Sequence, residues 1–75
     1  MYNELKKIDG QHVTVFGDHS GISVSGQGRL FIYGDHSIKI TYNMGYFLFP
    51  IEYVTRIGNI SYDGRNNYQP IITIS

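Results

Sequence analysis

The sequence predicts an all-β domain, a small antiparallel barrel of five to six strands behind a short N-terminal helical turn. Three observations lead there. Short segments rich in β-branched and aromatic residues follow one another along the chain, the composition strands prefer. Several alternate apolar and polar side chains with the period of two that marks a strand with one dry face. Between them recur clusters of Gly, Asn, Asp and Ser, the residues tight turns require. Short strands at regular intervals with turns between them point to a barrel or sandwich.

Residues 2–8 supply the helical turn, with Leu5 and Ile8 placed to pack back and Asp9-Gly10 to end it. Val13 and Val15 then alternate with Thr14 and Phe16, and Ile22 and Val24 with Ser23 and Ser25. Strands follow at 29–33, 38–42, 46–51, 53–57, 60–62 and 71–75. The turn clusters are 17–21 (Gly-Asp-His-Ser-Gly), 26–28 (Gly-Gln-Gly), 34–37 (Gly-Asp-His-Ser), 43–45 (Asn-Met-Gly) and 63–67, where Asp63-Gly64 leads. Residues 1–75 read as one small β domain: helix 2–8, barrel 12–58, and an added C-terminal hairpin over 59–75.

Two strands break the dry/wet rule. In 29–33, Leu30 and Ile32 face one way and Phe31 and Tyr33 the other; in 46–51, Phe47, Phe49 and Ile51 oppose Tyr46 and Leu48. A strand apolar on both faces is buried on both. A chain this short has one core to offer, so the second face is expected to meet another subunit, a partner or the N-terminal helix. The alternative is that Tyr33 and Tyr46 lie half-exposed, as tyrosines commonly do.

A domain this small buries only about 60% of the surface its unfolded chain exposes, so it needs a staple. With no cysteine in the 75 residues, disulfides and thiolate metal sites are excluded, and oligomerisation is the staple that remains. A homo-oligomer is therefore expected. Six Lys/Arg balance six Asp/Glu, which removes the basic surplus that duplex DNA binding relies on and equally argues against an acidic DNA mimic. No apolar run approaches the ~20 residues that span a bilayer. Residues 1–7 lack the apolar stretch of a signal peptide. No membrane association and a cytoplasmic location are expected.

One short pattern occurs twice. Phe16-Gly17-Asp18-His19-Ser20-Gly21-Ile22 is echoed by Tyr33-Gly34-Asp35-His36-Ser37-Ile38. Paired Asp and His side chains would suit a divalent metal or a polar ligand, while Gly-Asp-x-Ser is also ordinary turn chemistry used twice. Geometry decides between them. If 26–28 is a hairpin turn, both copies lie at the same end of the sheet and can converge. If those glycines only bend one long strand from 22 to 33, the copies lie at opposite ends and a shared intramolecular site is ruled out.

The run Val13-Thr14-Val15-Phe16, with Gly21 and Gly26 five residues apart and a long strand and turn after them, resembles the Sm-like barrel, most closely the Hfq type. The resemblance covers residues 2–58. It implies a short helix followed by five strongly bent antiparallel strands closed into a barrel, and rings of six or seven subunits joined through strands four and five. Two features depart from that pattern. The interval from Gly26 to Asp35 is longer by a few residues, and Phe49-Pro50-Ile51-Glu52 stands in place of the Tyr-Lys-His signature that lines the RNA pore of that family. Binding of uridine-rich RNA is therefore not carried over.

Catalytic chemistry finds little support. There is no Gly-x-Ser-x-Gly elbow, and Ser20 and Ser37 merely neighbour histidines within turns. The six acids form no recognisable dyad, and Gly26-Gln27-Gly28 lacks the helix and lysine of a phosphate loop. Asn59-Ile60-Ser61 matches a glycosylation sequon by chance. No enzyme activity, cofactor or bound metal is expected.

Binding residues are better represented. Arg29, Tyr33, Asp35, His36, Lys39 and Arg56 are the candidates for holding a ligand, through stacking and charge. Phe31, Phe47 and Phe49 are the candidates for an interface. Tyrosines such as Tyr42, Tyr53 and Tyr62 serve equally well to finish a core with a wet hydroxyl. Two functions follow. One is an oligomeric, non-enzymatic binding module for a nucleotide, small RNA or other anionic small ligand, of a size and style common among phage gene products and suited to inhibiting or sequestering against a host defence. The other is an interaction module that docks on a larger protein, such as a host protein, through an exposed aromatic face around Phe31, Tyr33, Phe47 and Phe49.

Overall fold

The computed structural model describes residues 1–61, 64–65 and 67–75. A five-residue helix α1 (Tyr2–Lys6) is followed by β1 (His12–His19), β2 (Ile22–Tyr33), β3 (Ser37–Tyr42), β4 (Gly45–Pro50), a 3-10 turn (Ile51–Tyr53), β5 (Val54–Ser61) and β6 (Tyr68–Ile74). The strands form one sheet in the order β4-β3-β2-β1-β6-β5. Neighbours are antiparallel except β1 and β6, which run parallel from Thr14–Ile71 to Gly17–Ile74. The sheet is open, with β4 and β5 as its two edges.

Alternation places the core on one face. Val13 and Val15 of β1, Leu30 of β2, Ile38 and Ile40 of β3, Val54 of β5 and Ile72 and Ile74 of β6 are buried there, and Leu5 of α1 covers them. Burying each such side chain contributes about 1.5–3 kcal/mol, which explains how a helix too short to stand alone keeps its place. The link to the sheet is made by hydrogen bonds to the main chain of β2. Gly10 N donates to Leu30 O, Leu30 N to Gln11 O, and Ile32 N to the Asp9 carboxylate.

The segment 26–28 is not a turn. β2 runs unbroken for twelve residues, pairing with β1 from Ile22 to Arg29 and with β3 from Arg29 to Tyr33. Its glycines serve close approach. A Cβ at Gly28 would collide with the Thr41 carbonyl oxygen and lie 2.9 Å from Ile40 Cγ2, and one at Gly26 would sit 3.3 Å from the Phe47 ring. At 28 only glycine lets β3 pack against β2, while a side chain at 26 would press on the Phe47 ring.

The C-terminal region also differs from the expected appended hairpin. Segments 53–57 and 60–62 belong to one strand, β5, because Gly58 and Asn59 sit in register opposite Ile71 and Pro70 instead of turning. Its partner β6 lies inside the sheet, between β5 and β1. Pro70 is tolerated one residue before the ladder to β1 begins, where a missing N–H breaks no rung on that side. The turn expected at Asp63 and the side chain of Tyr62 lie outside the described residues. No described helix is long and apolar enough to cross a membrane.

Candidate functional site

With the core on one face, the opposite face of the sheet carries the remaining chemistry. Register assigns it Gln27, Arg29, Phe31 and Tyr33 from β2, Lys39 and Thr41 from β3, Tyr46 and Leu48 from β4, His12, Thr14 and Phe16 from β1, and Gln69, Ile71 and Thr73 from β6. This outer face has two regions that meet at Arg29.

The first is a polar hollow of about 720 Å³, lined by Gly10, Gln11, His12, Gln27, Arg29, Tyr68, Gln69 and Pro70. Two of its polar groups are already held. Arg29 Nη1 donates to Gly10 O at 2.8 Å, and the amide nitrogen of Gln69, a buried side chain, donates to Thr14 Oγ1 at 2.7 Å. A guanidinium has five N–H donors, so most of Arg29's donors are left for a ligand. No described lining residue is acidic.

The second region is an apolar patch over β2, β3 and β4. Phe31 is 39% exposed, Leu48 47%, Tyr46 56% and Tyr33 58%. Phe31, Lys39 and Leu48 stand in one row across the strands. The Lys39 ammonium lies 4.5 Å from the centre of the Tyr46 ring and 5.9 Å from that of Tyr33. Those are cation–π distances, so the one cation at the centre of the patch is spread over its aromatics.

The residues expected to bind a ligand do not converge. Arg29 is in the hollow, and Tyr33 and Lys39 are in the patch. Asp35 and His36 form the β2–β3 loop beside Tyr2, Pro50 and Glu52, where His36 O accepts from Ile51 N at 2.7 Å. Arg56 stands on β5 at the far edge, beside Phe16, Asn59 and Thr73. The two Gly-Asp-His-Ser copies lie at opposite ends of β2, which rules out a site shared between them within one chain. Among the described residues no group of three or more His, Asp or Glu side chains could hold a metal ion.

The interface candidates divide as well. Phe31 is on the outer face. Phe47 and Phe49 are on the inner face, opposite Ile40 and Ile38, with ring centres 5.8 Å apart and Phe47 5.0 Å from Tyr42. The outward side chains of β4 are Tyr46 and Leu48, so the aromatic face is Phe31, Tyr33, Tyr46 and Leu48. Sequence reasoning missed His12, Gln27 and Gln69. Gln69 reaches Thr14 only because β6 docks parallel to β1, a pairing with no local signal. His12 and Gln27 could have been found from strand alternation once Val13 and Leu30 were assigned to the core.

Compared with known protein families, curated proteins and solved structures, the chain matches none.

Proposed function

We propose that this chain is a non-enzymatic binding module that takes a compact anionic ligand, a nucleotide or a short piece of RNA, in the outer-face hollow at Arg29. The observation that carries this reading is the grouping of Arg29, His12, Gln27 and Gln69 around a hollow without a described acid, with Arg29 and Gln69 already held. Groups fixed before the ligand arrives lose less freedom on binding. Arg29 suits a phosphate oxygen through its planar fork, and the Gln27 and Gln69 amides suit the edge of a base. A chain with no net charge fits a small ligand held by one such fork better than a long polyanion. A module that binds without turnover acts by sequestering, the role expected of a phage-type inhibitor of host defence.

The test is amide-shift mapping of the full chain with linear and cyclic mono- and dinucleotides and with inorganic phosphate. Shifts are expected at 10–12, 27–29 and 68–70. Arg29→Ala is expected to weaken binding about 10- to 100-fold, the worth of a charge-assisted hydrogen bond of ~1.5–3 kcal/mol, while Arg56→Ala binds as the parent does. A panel that shifts nothing, or shifts only residues elsewhere, removes the reading.

A second reading has its own observation. Phe31, Tyr33, Tyr46 and Leu48 expose apolar surface around the Lys39 ammonium, and contiguous patches of this kind mark protein interfaces.

A further inference from the structure

We propose that two copies of this chain pair antiparallel through β4, about a twofold axis at Phe47, so that the sheet continues from one copy into the other. This rests on the second reading above, in which the patch beside β4 is an interaction surface, and it names the partner.

The edge itself points there. The β3–β4 hairpin closes on Tyr42 and Gly45. In an antiparallel ladder, residues alternate in directing their main-chain groups toward the partner strand and away from it. Gly45, Phe47 and Phe49 therefore bond to β3, while Tyr46 and Leu48 direct N–H and C=O outward. No described main-chain partner meets them. The next outward position is Pro50, which has no N–H to offer, and the 3-10 turn begins directly after it. The free ladder is thus short and bounded.

Its register is self-complementary. When Tyr46 faces Leu48 of the second copy, and Leu48 faces Tyr46, four main-chain hydrogen bonds form and Phe47 meets Phe47 across the axis. Both faces of the new pairing are then apolar against apolar. Centring the axis on Leu48 would set Tyr46 against Pro50 and leave a carbonyl unmet. Centring it on Tyr46 would set Leu48 against Met44, inside the turn. Only the Phe47 register pairs both the N–H and the C=O of Tyr46 and of Leu48 within the strand.

The two edges of the sheet differ in a way that selects β4 against itself over a head-to-tail ring. β5 is interrupted by a bulge between Val54 and Arg56, and it carries Arg56 and Asn59. Bulges and charges are how natural edges resist pairing. β4, with the sequence Gly-Tyr-Phe-Leu-Phe-Pro, has neither. Zero net charge adds no repulsion between copies.

From the exposed fractions of Tyr46, Leu48 and Met44, pairing covers on the order of 400 Å² per copy, taking ~150–250 Å² for a large side chain. At about 800 Å² for the two copies together, that falls below standard interfaces and in the weak, transient class. The dimer is therefore weak and reversible.

Sedimentation of the full chain over a concentration series tests this. The mass is expected to rise from 8.6 kDa toward twice that value. The Tyr46 and Leu48 amides are expected to exchange more slowly as the dimer fills. Leu48→Lys is expected to weaken association at least tenfold with unchanged melting, and Tyr33→Ser, on the patch but off the edge, to leave it intact. Amide exchange of the parent chain decides the matter if Leu48→Lys fails to fold. A chain that stays monomeric at millimolar concentration, or forms a multiple other than two, overturns the pairing. Dimers lost in Tyr33→Ser but kept in Leu48→Lys overturn it too, while upholding the patch as an interface.

Discussion

The two Gly-Asp-His-Ser copies spell the same four residues and form different structures. In the first, Gly17, Asp18 and His19 continue β1, and the chain reverses at Ser20-Gly21, both with positive φ (53° and 79°). That is the pattern of a two-residue type I′ hairpin. In the second, Gly34, Asp35 and His36 are themselves the loop, and Ser37 already pairs in β3 with Tyr33. The cause is what lies alongside. β6 runs against β1 as far as Gly17–Ile74, so the first glycine is captured by a ladder. Nothing lies within 4 Å of where a Cβ on Gly34 would stand. Turn-forming residues mark where a chain is able to reverse; tertiary neighbours decide where it does.

Exchanging the two glycines for alanine gives the widest separation between the copies. A Cβ on Gly17 would collide with the Ile74 carbonyl oxygen, and its φ of 152° is one that side chains rarely adopt. Overpacking against main chain that cannot move aside costs about 1–3 kcal/mol, occasionally more, on top of the strained φ. Gly34, with φ 69° and open space, carries only the left-handed penalty of about 1–2 kcal/mol. Denaturant melts should place Gly17→Ala well below Gly34→Ala, and equal losses would mean that β6 does not hold β1 as described.

The histidines sharpen the contrast at a smaller scale. His19 stacks on Tyr53, ring centres 3.7 Å apart, which ties the end of β1 to the 3-10 turn. A stacked pair contributes about 0.5–1.5 kcal/mol beyond its burial, so His19→Ala should lower stability by roughly that amount. His36 is exposed and contributes its main-chain oxygen, which alanine retains; His36→Ala should leave the melt unchanged. A loss at position 36 equal to that at 19 would overturn the asymmetry.

The smallest effect concerns Ser20, the one described non-glycine residue with positive φ. Ser20→Gly relieves the left-handed strain but loosens the unfolded chain, and a net gain within ~0.5 kcal/mol is expected from those opposing effects. A loss above 1 kcal/mol would show that the serine hydroxyl matters to the turn.

The parts legible in the sequence are those set by near neighbours. The segments 29–33, 38–42 and 46–51 correspond to the end of β2, to β3 and to β4 because short hairpins join them. The side of β4 that faces inward was not legible, since Tyr46 and Leu48 are as apolar as Phe47 and Phe49. The choice is made by Ile38 and Ile40, to which Phe49 and Phe47 are registered. Nor was the polar hollow legible. It needs Gln69 brought beside Thr14, a meeting of distant segments that leaves no periodic trace.

The parallel pairing of β1 with β6 bears on how the chain is made. During synthesis β1 to β4 can form their hairpins as soon as they leave the ribosome. The side of β1 meant for β6 stays bare until Ile71–Ile74 have left the ribosome too. Long-range pairings of this kind are the slow steps of folding. For that interval the nascent chain presents β1 as an open sheet edge, and neighbouring chains on one message compete for it with β6.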